Sequence, residues 1–300
     1  MRSMISLLRQ AGRDFLQDDC PRMAAAISYY TIFSLPPLLL LILLITGVVV
    51  DQTTTRARIG TEMASLIGPG AAAQVQEMIE IATRTENRGP GATLLWVAAL
   101  LLGATGVFGQ LQSALNRAWE VAPDPEQGGV KRMLGKRLLS LGMVMTIAFL
   151  LLVSLLLSAA MSAFGESLGA IVPGGVAPAF LHVLQLVLSL GMTTLLFALL
   201  FKLVPDAQTS WRDVAVGAVV TGVLFVAGKF LLGLYLSKSD PGEAFGAAGS
   251  LAVILVWVYY SAMIVFLGAE FTQVWAKERG AGIAPRTGAL RMVEGVGREL

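Results

Sequence analysis

Apolar residues along this chain gather into six long blocks, at about 23–50, 93–114, 138–164, 178–201, 214–236 and 247–275. Each is long enough to cross a bilayer core, which takes roughly 20 residues of helix. A membrane barrel would instead show short alternating strands. The pattern predicts an all-α, polytopic membrane helical bundle with six transmembrane helices. Ahead of the first block, Met4, Ile5, Leu8, Ala11, Phe15 and Leu16 recur at helical spacing, as in an amphipathic helix lying on a membrane surface. Asp18 and Asp19, just before Pro21, mark a second helix start. The long connection 51–92 divides at Gly68–Pro69–Gly70 into two helical patterns, 56–67 and 71–84, expected as short amphipathic helices capping the outer face. Residues 1–280 read as one integral-membrane domain. Residues 281–300, rich in Gly and Arg, read as a mobile tail with room for one short helix.

Composition agrees with the pattern. Of 300 residues, 55% are hydrophobic and 14% charged, against about 25% charged in soluble domains. The first block continues well past the length of a signal-peptide core and lacks a clear cleavage site, so it is read as a retained span. The single cysteine, Cys20, implies no disulfide framework. Charge sets the orientation, because Lys and Arg in short loops concentrate on the cytoplasmic side. The N-terminus, second loop, fourth loop and C-terminus together carry sixteen Lys and Arg, and the other three loops carry five. Both termini are therefore expected in the cytoplasm. Three spans followed by three would permit an inverted repeat, but the halves share no residue-level similarity.

Polar groups inside the apolar blocks are the candidate functional residues. Lys229 lies about seven residues from the outer end of the fifth block. Its amine either climbs to the headgroups or faces the bundle interior. The glycines at 217, 222, 228 and 233 repeat at a spacing of eleven, which suits close helix packing. Glu270 sits one to two turns inside the cytoplasmic end of the sixth block. Lys229 and Glu270 lie near opposite ends of their spans, so they are expected as two polar sites or as two ends of one cavity. Gln112 and Asn116 share a helix face at the end of the second block, followed by Arg117 and Trp119 at headgroup level. In the first block Pro36 and Pro37 remove two helix hydrogen bonds and predict a kink. Tyr29, Tyr30, Thr31 and Ser34 lie beside it and are candidates to line a polar space. One histidine, His182, and one cysteine cannot build a metal set or a nucleophile–base pair. No metal, no cofactor, no nucleic acid and no enzymatic activity are expected.

Four stretches resemble the YihY/virulence factor BrkB family of bacterial inner-membrane proteins: "AAAISYYTIFSLPPLLLLI", "QLQSALNRAWEV", "KLVPDAQTSWRDVAVGAVVTGVLFVAGKFLLGLY" and "FGAAGSLAVILVWVYYSAMIVFLGAEF". The likeness covers nearly the whole chain, with Phe245 where the family often has tyrosine. It implies six spans and singles out Tyr29, Tyr30, Pro36, Pro37, Asn116, Arg117, Pro205, Lys229 and Glu270. Some members carry a ribonuclease BN label, which this chain's lack of metal-ligand chemistry argues against. The expected function is a transporter, exporter or flippase for an ion, small solute or lipid, with the bilayer as constant partner. The alternative is a non-transporting membrane scaffold or envelope-assembly factor. A homo-oligomer is neither required nor excluded.

Overall fold

The computed structural model describes residues 3–32, 76, 80, 106–125, 176–239, 249–279 and 282–292. Helix dominates them. The first helix, α1, spans Met4–Gln17. It closes where Asp19 turns into the left-handed region (φ 55°), and α2 then covers 20–32. The carbonyl of Asp19 accepts from the amides of Arg22 (3.0 Å) and Met23 (3.1 Å), and its carboxylate pairs with Arg22. The Asp-Asp-Cys-Pro stretch thus starts a new helix, as its sequence predicts.

Residues 106–118 form α3. Its end is turned by Glu120, also at φ 55°, into the short strand β1, Val121–Pro123. Helix α4 covers Val176–Leu203 and strand β2 Ala207–Gln208. Helix α5 runs over Trp211–Ser239. Ser210 caps it, its hydroxyl oxygen accepting from the amides of Arg212 (3.2 Å) and Asp213 (3.3 Å). Helix α6 covers Gly249–Glu278. By length and composition, Trp211–Tyr235 of α5 and Ala252–Glu278 of α6 can each cross a membrane.

The first expected span is described only at its start and the second only at its end. The third, together with Pro36, Pro37, Ser34 and most of the 51–92 connection, lies outside the described residues. Residues 76 and 80 are helical, within the pattern expected for 71–84.

The segment expected as a tail contains two strands, β3 (Ala284–Pro285) and β4 (Ala289–Arg291). β3 pairs antiparallel with β2, and β4 pairs antiparallel with β1, Val121 opposite Arg291. Gly282 (φ 60°) and Gly288 (φ 84°) supply the reversals that bring the strands into place. The glycines that, with arginine, suggested mobility here make tight turns.

The chain divides into two compact units. One comprises Met1–Asp14, Leu115–Leu224 and Leu267–Leu300, and the other Phe15–Ala114 and Phe225–Phe266. Both strand pairs belong to the first unit.

Candidate functional site

In the first unit, α6 enters as Leu267-Gly-Ala-Glu-Phe-Thr-Gln-Val, and all but the first of these residues are buried. Glu270 and Thr272 have no exposed surface and Gln273 only 3%. Three buried polar side chains within four residues of a membrane-capable helix need close neighbours, and α5 provides one at Thr272. A Cβ at Gly217 would strike the hydroxyl of Thr272, and one at Gly268 would strike that of Thr221. Each threonine donates to the carbonyl four residues back on its own helix, Thr221 to Gly217 and Thr272 to Gly268, both at 2.7 Å. The crossing is therefore reciprocal: each helix presents a glycine to the other's threonine. Between apolar helices in a bilayer no hydrophobic force drives association, so close van der Waals contact of this kind contributes to holding α5 to α6.

The end of α3 packs on the same turn of α6. Trp119, 2% exposed, donates from Nε1 to the carbonyl of Ala269 at 3.0 Å, and its ring leans on Phe201 of α4. One turn earlier, Asn116 grips Asp206 twice. Its Nδ2 donates to the Asp206 carboxylate at 3.0 Å, and its Oδ1 accepts from the Asp206 amide at 2.8 Å. The Asp206 carbonyl in turn accepts from the amide of Arg286, at 2.9 Å, beside the β2–β3 pair. Lys277 and Glu120 pair at 2.7 Å. Lys202 donates to the carbonyl of Thr209 and stands over the Trp211 ring.

Helix α1 completes the unit. Leu7 and Ala11 are buried against Phe271 and Val274, flanked by Val216, Val220 and Trp275. Burial pushes the Asp14 carboxyl above its ordinary value. Nearby Lys277 pulls it back, and Glu120 adds to the push.

In the second unit, Tyr30 lies against Gly106, where a Cβ would come within 2.6 Å of the ring, and Tyr29 meets Tyr30 edge-on. Tyr29 is 60% exposed. Gln112 is half-buried. Lys229 is exposed beside exposed Phe230 and Leu231. The glycine before it, Gly228, is the one that packs, facing Tyr260 and Ile264.

The structure thus gathers Asn116, Arg117 and Glu270 into the first unit and leaves Gln112, Tyr29, Tyr30 and Lys229 in the second. Sequence reasoning missed Asp206, Glu120 and Lys277. Asp206 follows Pro205 in a stretch already singled out by resemblance, but only its contact with Asn116, 90 residues away, gives it a role. Among the described residues no group of three His, Cys, Asp or Glu could hold a metal ion.

A family model described as virulence factor BrkB matches residues 11–291, which take in every contact of this unit between α1 and β4 from Ala11 onward. The chain belongs to the BrkB family. Relatives bear the name UPF0761 membrane protein. The one from Pseudomonas aeruginosa LESB58 is 29% identical over 298 residues, covering 96% of this chain and 68% of its own length. One from Alkalilimnicola ehrlichii is 30% identical over 281 residues, covering 89% and 59%, and one from Psychrobacter sp. PRwf-1 is 25% identical, covering 96% and 52%. No solved structure matches the chain. This BrkB-family chain is a membrane protein, and it spans between about half and two thirds of the length of these relatives.

Proposed function

We propose that this BrkB-family protein crosses a bacterial inner membrane six times, with both termini in the cytoplasm, and moves an ion, small solute or lipid by a non-enzymatic route in which Glu270 takes part. The observation that carries this reading is the Glu270 carboxyl, wholly buried in a membrane-capable helix and followed by Thr272 and Gln273. A carboxyl so fully buried on a membrane helix is costly, and where membrane proteins retain one it usually carries a proton, pairs a cation or contacts cargo. The sixteen-to-five split of basic residues supports the orientation. Asn116 and Arg117 belong to the same unit as Glu270 and form the inner part of the substrate-binding set. Tyr29, Tyr30, Gln112 and Lys229 would serve a separate part, with Pro36 and Pro37 opening the first helix.

Reconstituted vesicles test it, read with a pH-sensitive dye inside and with a fluorescent phospholipid whose leaflet is followed by quenching. Movement of one probe above empty vesicles is expected, falling at least about tenfold in Glu270→Gln, the loss expected of a residue central to proton or cargo handling. Unchanged movement in Glu270→Gln overturns the assignment.

A second reading, a non-transporting scaffold, is favoured by the strand pairs and the Lys277–Glu120 pair that tie the first unit together. Absence of movement of either probe, with a protein partner co-purifying at fixed stoichiometry, would establish it instead.

A further inference from the structure

Helix α1 has two apolar faces, where its sequence suggested one. Leu7 and Ala11 form the first and are spent on the protein, against Phe271 and Val274. The second is centred roughly 120° further round the helix, from the geometry of 3.6 residues per turn. It carries Leu8, Ile5 and Leu16, which are 41%, 73% and 66% exposed. At Gly12, in the middle of this stripe, an added Cβ would meet nothing within 4 Å. Arg9 and Arg13 are exposed along the far edge of the stripe. The sole acidic residue of α1, Asp14, lies on the opposite side, beside the buried face.

The depth at which α1 is held says what covers this stripe. Phe271 and Val274 belong to the last two turns of a helix, Ala252–Glu278, that is long and apolar enough to cross a membrane. A helix docked there lies at the level where hydrocarbon gives way to headgroups. An apolar stripe edged by arginines suits that boundary, with apolar side chains toward the acyl region and guanidiniums among phosphates. A second copy fits less well. Packed antiparallel, two such stripes would set Arg9 and Arg13 of both copies along one seam with no carboxylate of α1 between them, and packed parallel they would leave each copy's arginines along an edge with no carboxylate of α1 beside them.

We propose that the Ile5–Leu8–Leu16 face of α1 is a lipid-docking surface that binds anionic phospholipid through Arg9 and Arg13. The proposal stands apart from transport, since a scaffold would have equal use for it. It is tested on the full chain in nanodiscs of phosphatidylcholine, with or without phosphatidylglycerol. An environment-sensitive fluorophore is placed at Ile5→Cys or, on the polar side, at Gln17→Cys, in a Cys20→Ser background. Emission from position 5 is expected to shift to the blue and to resist aqueous iodide several-fold better than position 17, more strongly with phosphatidylglycerol. Arg9→Gln with Arg13→Gln should abolish the phosphatidylglycerol dependence while helical circular dichroism is unchanged. Equal quenching at positions 5 and 17 in both bilayers overturns the proposal. So does protection of position 5 in detergent that grows with protein concentration, which would reveal a second copy instead.

Discussion

The two units are held together in different ways. In the first, partners far apart in sequence meet through specific polar contacts: Asn116 with Asp206, Trp119 with Ala269, Glu120 with Lys277, and strand with strand. In the second, contacts between residues far apart in sequence include rings set against small residues, aliphatic side chains or one another: Tyr30 on Gly106, Tyr260 and Ile264 on Gly228, Phe225 edge-on to Trp257. Its buried polar side chain among the described residues, Ser28, bonds only within its own helix, to the Ala24 carbonyl at 3.0 Å. A polar contact fixes one register and is costly to leave half-made, whereas ring packing tolerates adjustment. The first unit should therefore be brittle and the second forgiving.

The glycines of α5 and α6 test that contrast most severely. Gly217→Val or Gly268→Val drives a side chain into a threonine whose hydroxyl is already committed, and should cost about 3 kcal/mol or more. Gly228→Ala meets only the far ends of Tyr260 and Ile264, so a loss nearer about 1 kcal/mol is expected. Gly233→Ala meets nothing within 4 Å and should be neutral or gain up to about 1 kcal/mol of helix propensity. Thermal unfolding of the three in detergent, followed by circular dichroism, would erase the contrast if Gly228→Ala proved as damaging as Gly217→Val.

A milder probe compares single polar side chains. Asn116→Ala removes one hydrogen bond from the Asp206 amide and one from its carboxylate, and should cost about 1–3 kcal/mol. Ser28→Ala removes a bond that merely duplicates helix bonding and should change stability by less than about 0.5 kcal/mol. Equal losses in the same melts would mean that the polar contacts do not set the units apart.

Weaker still is the Lys277–Glu120 pair. Both side chains are about 40% exposed (39% and 41%), so Lys277→Met should cost no more than about 1 kcal/mol, fading with salt. Removing Lys277 also takes away the cation that offsets burial of Asp14, leaving the push from Glu120. The sign follows from the raised carboxyl. The folded chain holds the Asp14 proton more tightly than the unfolded chain does, so stability falls as pH climbs from near 3.8 through the higher folded value, and is flat above. Asp14→Asn should abolish that fall, making the variant relatively more stable at neutral pH than in acid. Lys277→Met should push the fall to higher pH. Stability against pH for the three proteins checks both directions, and parallel curves would remove Asp14 from the account.

How much of this was legible depended on the range of the signal. Helices α5 and α6 could be read because an uninterrupted apolar run is a local property, and Glu270 because one carboxyl interrupts it. Gly217 and Gly228 were visible as a packing face, yet which threonine or tyrosine each would meet depends on the partner helix. Strands of two or three residues are too short for any periodicity, so β1 and β4, pairing across about 170 positions, left no pattern to find. Lys229 carried a clear cue, its charge, that left two directions open. Its side chain is exposed in the second unit. The amphipathic pattern of α1 mixed two faces into one, since Ala11 is covered by α6 while Ile5, from the same pattern, is not.

The strand pairing also bears on the order in which the protein is made. The residues of the second unit have all been synthesised once Phe266 has been added. The first unit draws on α1 from the start of the chain and on β4 at Ala289–Arg291, so it cannot close until the last few turns of translation. At bacterial elongation rates of roughly 5–20 residues per second, the wait from Phe266 to Arg291 lasts seconds. Through that interval Asn116, Trp119 and Asp206 stand ready on the nascent chain while β1 and β2 lack their partner strands. A ribosome stalled before residue 284 would release a protein with every residue of one unit and an unsealed other, a state for quality control to recognise by its open strand edges.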